Sequence, residues 1–204
     1  SYGCTFSGTL KEEGGNTDCF GGVAGYTASD TIMFCANYGT ISFWSAGAYA
    51  GGIAGYLNNT AGTIKGCLNA GKVTYMDEGE PSYGGAIIGR MRDNTPSKIQ
   101  NNVWIEGSGY AGTGEGSVPS TVCATAEQLA SGEICYYLNC DQMEIGWYQT
   151  LGTDEMPVLD ATHAKVYMNG RLHCNGDVYE GATYSNEIAS SEERRVGKEC
   201  RSRW

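Results

Sequence analysis

Histidine is nearly missing from this 204-residue chain, which offers only His163 and His173 as imidazole bases. No H-E-x-x-H occurs, which excludes the two-imidazole, one-carboxylate arrangement of the zinc peptidases. There is no C-x-x-C pair, no Cys/His zinc spacing and no EF-hand spacing, so neither a zinc nor a calcium site is expected. No apolar run is long enough to span a membrane. An initiator Met and a signal peptide are missing too, and the chain starts inside a repeat. It is therefore expected to be a fragment, and these absences say nothing about localisation. Up to residue 120 no stretch combines helical periodicity with caps.

Positive charge is scarce. Lys and Arg number 13 against 23 Asp and Glu, and five of those 13 fall in Ser191–Trp204. That tail reads as one frame of a common sequencing-library adapter and is set aside as a fusion scar would be. Without it 8 basic and 20 acidic residues remain, a net charge of −12 over 190 residues. Such a balance is unfavourable for nucleic acid or an anionic bilayer and suits an exposed, soluble surface.

What is present is periodic. Cys4-x-x-x-Gly8-x-Leu10 returns as Cys35-x-x-x-Gly39-x-Ile41 and as Cys67-x-x-x-Gly71-x-Val73, at steps of 31 and 32 residues. A second block keeps the same step: Gly21-Gly-Val-Ala-Gly25, Gly51-Gly-Ile-Ala-Gly55 and the degraded Gly85-Ala-Ile-Ile-Gly89. Two linked patterns at one period mean tandem structural units. Gly 31 is about twice the usual share, but the glycines keep fixed repeat positions, which a flexible linker would not. Tyr 14 against Phe 4 favours rings that lie half exposed on strands.

Period-two apolar alternation and β-branched residues predict three short strands per unit. Sharp corners are expected at Asn37-Tyr38-Gly39 and Asn69-Ala70-Gly71, where left-handed backbone is tolerated. Stacked units would line up Ile32/Ile64/Ile99, Ile41/Val73 and Val23/Ile53/Ile87. Cys4, Cys35 and Cys67 would form a column of small buried thiols. A fourth unit is decayed: Asn102 stands at the Cys position and Val103-Trp104-Ile105 follows, which reads as a cap. Thr125-Ala-Glu-Gln128 resembles a capping box that opens a helix through Leu129 and, after Gly132, Ile134–Leu138. Trp147–Asp154 and Met156–Leu159 read as an extended segment folded back on that helix. Ala164–Tyr167 and Val178-Tyr179 read as closing strands.

The fold expected is thus mainly β: a right-handed β-solenoid or β-helix-like stack of three to four coils of about 31 residues, followed by a small mixed α/β C-terminal extension. The expected division is a repeat solenoid over 1–106, a Gly-rich connector over 107–119, a helix with an extended capping segment over 120–168, the start of a further module or strand over 169–190, and the adapter-like tail over 191–204.

The GGIAG blocks with C-x-N-x-G-x-V between them resemble the GLUG-motif repeats of bacterial surface proteins. The stretch Ala126–Asn139, then Trp147-Tyr-Gln-Thr-Leu-Gly-Thr-Asp154 and Pro157–Asp160, looks like the segment that often follows such repeats. Together they cover most of residues 1–168. The resemblance implies an exported, cell-wall-associated protein with a β-helix-like fold, and it supplies no catalytic residues.

Candidate chemistry is thin. Gly107-Ser-Gly-Tyr-Ala-Gly112 matches G-x-G-x-x-G, but it runs on into Thr113–Pro119, which cannot open the helix a dinucleotide needs. A Cys135–His163 or Cys135–His173 pair would have no third group to orient it. The acidic pairs Glu12-Glu13, Asp77-Glu78 and Asp154-Glu155 read first as solvated loop charge and second as carboxylates for glycoside chemistry. Phe43, Trp44 and Tyr75, beside Asp77 and Glu78, are the candidate ligand-binding residues, since ring faces near carboxylates suit sugars. No catalytic, metal or cofactor residue is assigned. The expected role is a non-enzymatic stalk or adhesive module of an exported bacterial cell-surface protein, located extracellularly. A solenoid binding a glycan or a host surface protein through loops 42–50 and 74–83 is the alternative. A fragment of a carbohydrate-active β-helix enzyme is the second.

Overall fold

The computed structural model describes residues 1–13, 18–45, 47–58, 62–77, 83–92, 99–114, 121–140, 144–169 and 181–188. Two compact units divide the chain, Ser1–Thr125 and Ala126–Trp204. The fold is mainly β, with sheets of parallel strands.

In the first unit the opening repeat supplies β1 (Thr5–Phe6), β2 (Thr9–Lys11), β3 (Cys19–Gly21) and β4 (Ala24–Thr27). The second supplies β5 (Thr31–Met33), β6 (Ala36–Asn37), β7 (Thr40–Phe43), β8 (Tyr49–Gly51) and β9 (Ala54–Leu57). The third supplies β10 (Thr63–Lys65), β11 (Leu68–Asn69), β12 (Lys72–Tyr75), β13 (Gly84–Gly85) and β14 (Ile88–Met91). Then come β15 (Ile99–Gln100), β16 (Asn102–Ile105) and β17 (Thr121–Ala124). A full repeat therefore holds five short strands where the apolar alternation predicts three, because glycines and corners cut each run after two to four residues.

Among the described residues the strand pairings of this unit are parallel, and those of β1–β16 join one repeat to the next. The sheets run β1-β6-β11-β16-β17, β15-β10-β5, β12-β7-β2, β13-β8-β3 and β14-β9-β4. Register sets Ile64 opposite both Ile32 and Ile99, and Ile41 opposite both Leu10 and Val73. The Val23 N–H donates to the Ile53 carbonyl, and the Ile53 N–H to that of Ile87, at 3.1 and 3.0 Å. Ile32, Ile53, Ile64, Ile87 and Ile99 are buried together with Cys35 and Cys67 in one cluster. Ile41, Phe43, Ala48, Ala50 and Val73 form a second. Burial of each such isoleucine stabilises by about 1.5–3 kcal/mol, and the cluster that provides it spans successive repeats.

The thiols at Cys4, Cys35 and Cys67 are free and occupy one repeat position, but only Cys35 and Cys67 are buried as expected and Cys4 is exposed. Their carbonyls accept in turn from Ala36, Leu68 and Val103 at 2.9 Å. Cys35 and Cys67 donate to the carbonyls of Met33 and Lys65. Burial holds the Cys67 thiol well above its ordinary pKa. In the fourth layer Asn102 takes the position: its Oδ1 accepts from the Cys67 N–H at 3.0 Å and its Nδ2 donates to the Ile64 carbonyl at 2.9 Å.

The sharp corner lies elsewhere than expected. Left-handed backbone falls one residue before the Cys position, at Gly3, Phe34, Gly66 and Asn101, with φ of 65, 49, 58 and 54°. Asn37 and Asn69 form a buried amide ladder instead. Asn37 Nδ2 donates to Asn69 Oδ1 at 2.7 Å, and each side-chain oxygen accepts from the N–H two residues on, that of Gly39 or Gly71. This ladder explains the second motif: a Cβ on Gly52 would lie 2.4 Å from Asn69 Cγ and 2.2 Å from the Ala86 carbonyl oxygen. The asparagine of one motif and the glycine pair of the other share one interior space.

The expected boundary at 106 differs from the structure. Val73 donates to the Ser108 carbonyl, Ile87 and Ile88 donate to that of Gly112, and Gly114 donates back to Ile88. Residues 107–114 thus continue the parallel ladders. A Cβ on Gly109 would sit 2.1 Å from the Val73 carbonyl oxygen and one on Gly112 2.4 Å from Thr121 Oγ1, while Gly107 has left-handed backbone at φ 85°, so packing and turn geometry account for these glycines. Nor does Trp104 end the stack, because β17 pairs beyond it with Trp104 opposite Cys123.

The second unit is mixed α/β. Helices α1 (Ala126–Ser131) and α2 (Glu133–Asn139) are separated by Gly132 at φ 90°. The strands β18 (Tyr167–Met168) and β19 (Tyr184–Ser185) pair antiparallel. Polar side chains hold it. Asn139 donates through Nδ2 to the carbonyls of Cys135 and Trp147 and accepts through Oδ1 from the N–H groups of Gly146 and Trp147. Gln149 Nε2 reaches the Leu129 carbonyl at 2.7 Å, laying the extended segment on α1. Asn186 ties Leu151, Gln149 and Lys165 together. Val178-Tyr179, expected as a closing strand, lies outside the described residues.

Candidate functional site

Sequence reasoning placed a binding surface at the aromatic residues after β7 and β12, and the structure separates them. Phe43 is fully buried. It shares the inward side of β7 with Ile41 and packs against Tyr75 and Tyr110, with ring centroids 5.3 and 6.4 Å apart. Its expected role as a binding face is corrected by strand parity, which points every second side chain into the core. Tyr75 is half-buried, Asp77 is exposed, and Glu78 lies outside the described residues.

Trp44, one residue on, turns outward and is 43% exposed. It borders an open hollow of about 340 Å³ with Lys11, Glu12 and Glu13. Glu12 fixes this corner. Its Oε2 accepts from the Trp44 and Ser45 N–H groups at 2.6 and 2.9 Å, while its buried Oε1 has no hydrogen-bond partner. Two backbone amides compensate a carboxylate only 3% exposed. The hollow thus joins an indole face, an ammonium group and carboxylates.

A second surface escaped the sequence reading, although Tyr26 and Tyr56 were visible after the Gly-rich blocks. Tyr26, Tyr56 and Arg90 occupy one solvent-facing position of β4, β9 and β14. Tyr49, on β8, and Tyr83, just before β13, lie beside them. Ring centroids are 5.6 Å apart for Tyr26–Tyr56 and 4.9 Å for both Tyr49–Tyr56 and Tyr49–Tyr83. The Arg90 guanidinium lies 4.6, 5.2 and 5.9 Å from the ring centroids of Tyr83, Tyr49 and Tyr56, and donates to the Tyr49 hydroxyl at 2.8 Å. Arg92 donates to Asn58 Oδ1 at 3.4 Å, and Asn58 in turn bonds the Tyr26 hydroxyl. The replacement of Tyr by Arg at residue 90 was the available signal.

The Cys135–His163 pair finds no geometry among the described residues. Cys135 is fully buried, and burial, with the Asp154 charge, pushes its thiol pKa far up. His163 Nδ1 lies instead 2.7 Å from Asp154 Oδ2, an oxygen that also accepts from the Thr150 N–H at 2.5 Å. The Thr150 amide first, and then His163, hold the Asp154 pKa below its ordinary value. His173 lies outside the described residues. Among the described residues no group of three His, Cys, Asp or Glu side chains is arranged to hold a metal ion, and no helix is long and apolar enough to cross a membrane. Cys140 is disulfide-bonded.

No protein family, no curated protein and no solved structure matches the chain.

Proposed function

We propose that residues 1–125 form a right-handed β-solenoid of GLUG-like repeats, and that the chain is a non-enzymatic stalk or adhesive module of an exported bacterial cell-surface protein. One observation carries the reading: among β1–β16 the parallel pairings join equivalent positions of successive repeats. A chain wound this way extends by adding repeats, and side chains pointing outward repeat along the axis as an array. The motif spacing supports the family resemblance, and the net charge of −10 supports an exposed surface. Staining of intact cells that express the parent gene, with antibody raised against residues 1–125, tests it. Labelling before permeabilisation is the expected result; labelling only after lysis overturns the surface assignment.

A second reading, a solenoid that binds a glycan or a host surface protein, is favoured by one specific feature. Trp44 is exposed beside the Glu12-Glu13 carboxylates over an open hollow. The carbohydrate-active enzyme reading has no comparable support.

A further inference from the structure

The tyrosine–arginine face over β4, β8, β9 and β14 is a different place from the Trp44 hollow, and its chemistry is more selective. Arg90 and Arg92 are the two arginines within residues 1–125 of a chain carrying a net charge of −10. Both fall on this one face. Arg90 lies against three tyrosine rings and orders them. Arg92 is exposed, with no ion pair among the described residues, and its contact to Asn58 is a long 3.4 Å. Tyr26 is 53% exposed beside it.

We propose that this face binds a linear acidic polysaccharide, one bearing uronate carboxylates. Tyr26 and Tyr56, at one position of adjacent strands with ring centroids 5.6 Å apart and planes 67° apart, offer an edge and a face to consecutive sugar rings. The Asn58 amide supplies polar contacts to hydroxyl groups. The Arg92 guanidinium pairs with a carboxylate in a charge-assisted, two-pronged contact. A neutral glycan would leave the guanidinium without its complement. An acidic polypeptide would satisfy the charge but not the row of rings. The inference rests on the ligand-binding reading above and moves the site from the Trp44 hollow to the tyrosines.

Fluorescence-anisotropy titration of labelled polygalacturonate into the whole chain tests it, with dextran and polyglutamate as comparison polymers. Arg92→Gln and Tyr26→Ala change exposed side chains, and each is expected to weaken polygalacturonate binding about tenfold. The thermal midpoint should not move, and Trp44→Ala should bind like the parent. Raising salt should weaken binding. Polyglutamate binding as tightly as polygalacturonate overturns the proposal, as does equal binding of dextran or no loss in either face variant. Loss in Trp44→Ala alone also overturns it, but leaves the hollow as the site and the general binding reading intact. No polymer binding by any form sinks both and leaves the stalk.

Discussion

The two units reach stability by opposite means. In residues 1–125 backbone ladders join successive repeats, and the interior consists of equivalent residues set over one another, such as Ile32, Ile64 and Ile99. In residues 126–188 the organisers are single polar side chains with two or more backbone partners each, Asn139, Gln149 and Asn186, together with Asp154, which joins the Thr150 N–H to His163. A repeat spreads its stability over many similar contacts, so an error propagates to neighbours of the same kind. A hub concentrates it, so loss of one amide strands several backbone groups at once.

The largest effect should come from Ile53→Asp. A carboxylate at a fully buried position between Val23 and Ile87 is expected to cost more than about 4 kcal/mol. Limited proteolysis should then cut in all three repeats; cleavage confined to residues 49–58 would break the picture of shared interior burial. Next is Asn139→Ala, which leaves two N–H donors and two carbonyls without this partner and should cost about 3 kcal/mol. Hydrogen exchange should rise across 126–169 and stay unchanged in 1–125, and a rise in the repeats would erase the contrast.

The smallest effect concerns acid. Asp154 in the folded state has a pKa below its ordinary 3.8, so the folded protein holds this carboxylate charged more readily than the unfolded chain does. Its contribution is present above about pH 4 and is lost as pH falls through the lower folded value. Thermal melts between pH 7 and 2 should show the second unit losing stability in that range. Asp154→Asn should flatten the loss there without altering the repeats.

The repeat was legible because its signal is local and periodic: the 31- and 32-residue steps reappear as strand register. Glycines 107–114 were not legible as part of it, because there the chain contributes backbone rather than matching side chains. Only coordinates show the Val73 carbonyl pressed against Gly109. The left-handed corner was misplaced for a similar reason. Asn37 has the propensity for it, but a buried amide bridge to Asn69 uses that residue otherwise, and Phe34 adopts the turn instead. The binding candidates split by parity, with Phe43 inward and Trp44 outward.

The amino-acid order alone determined the period, the identity of the stacked residues and the acidic balance, since each is a property of spacing and composition. The tertiary structure decided which aromatic rings meet solvent and that Arg90 lies among three tyrosines. It also decided that Glu12 grips the backbone 32 residues away. All of those contacts but Arg90–Tyr83 join different repeats, and the distance between two side chains there depends on the tertiary arrangement of the chain, which no local pattern encodes.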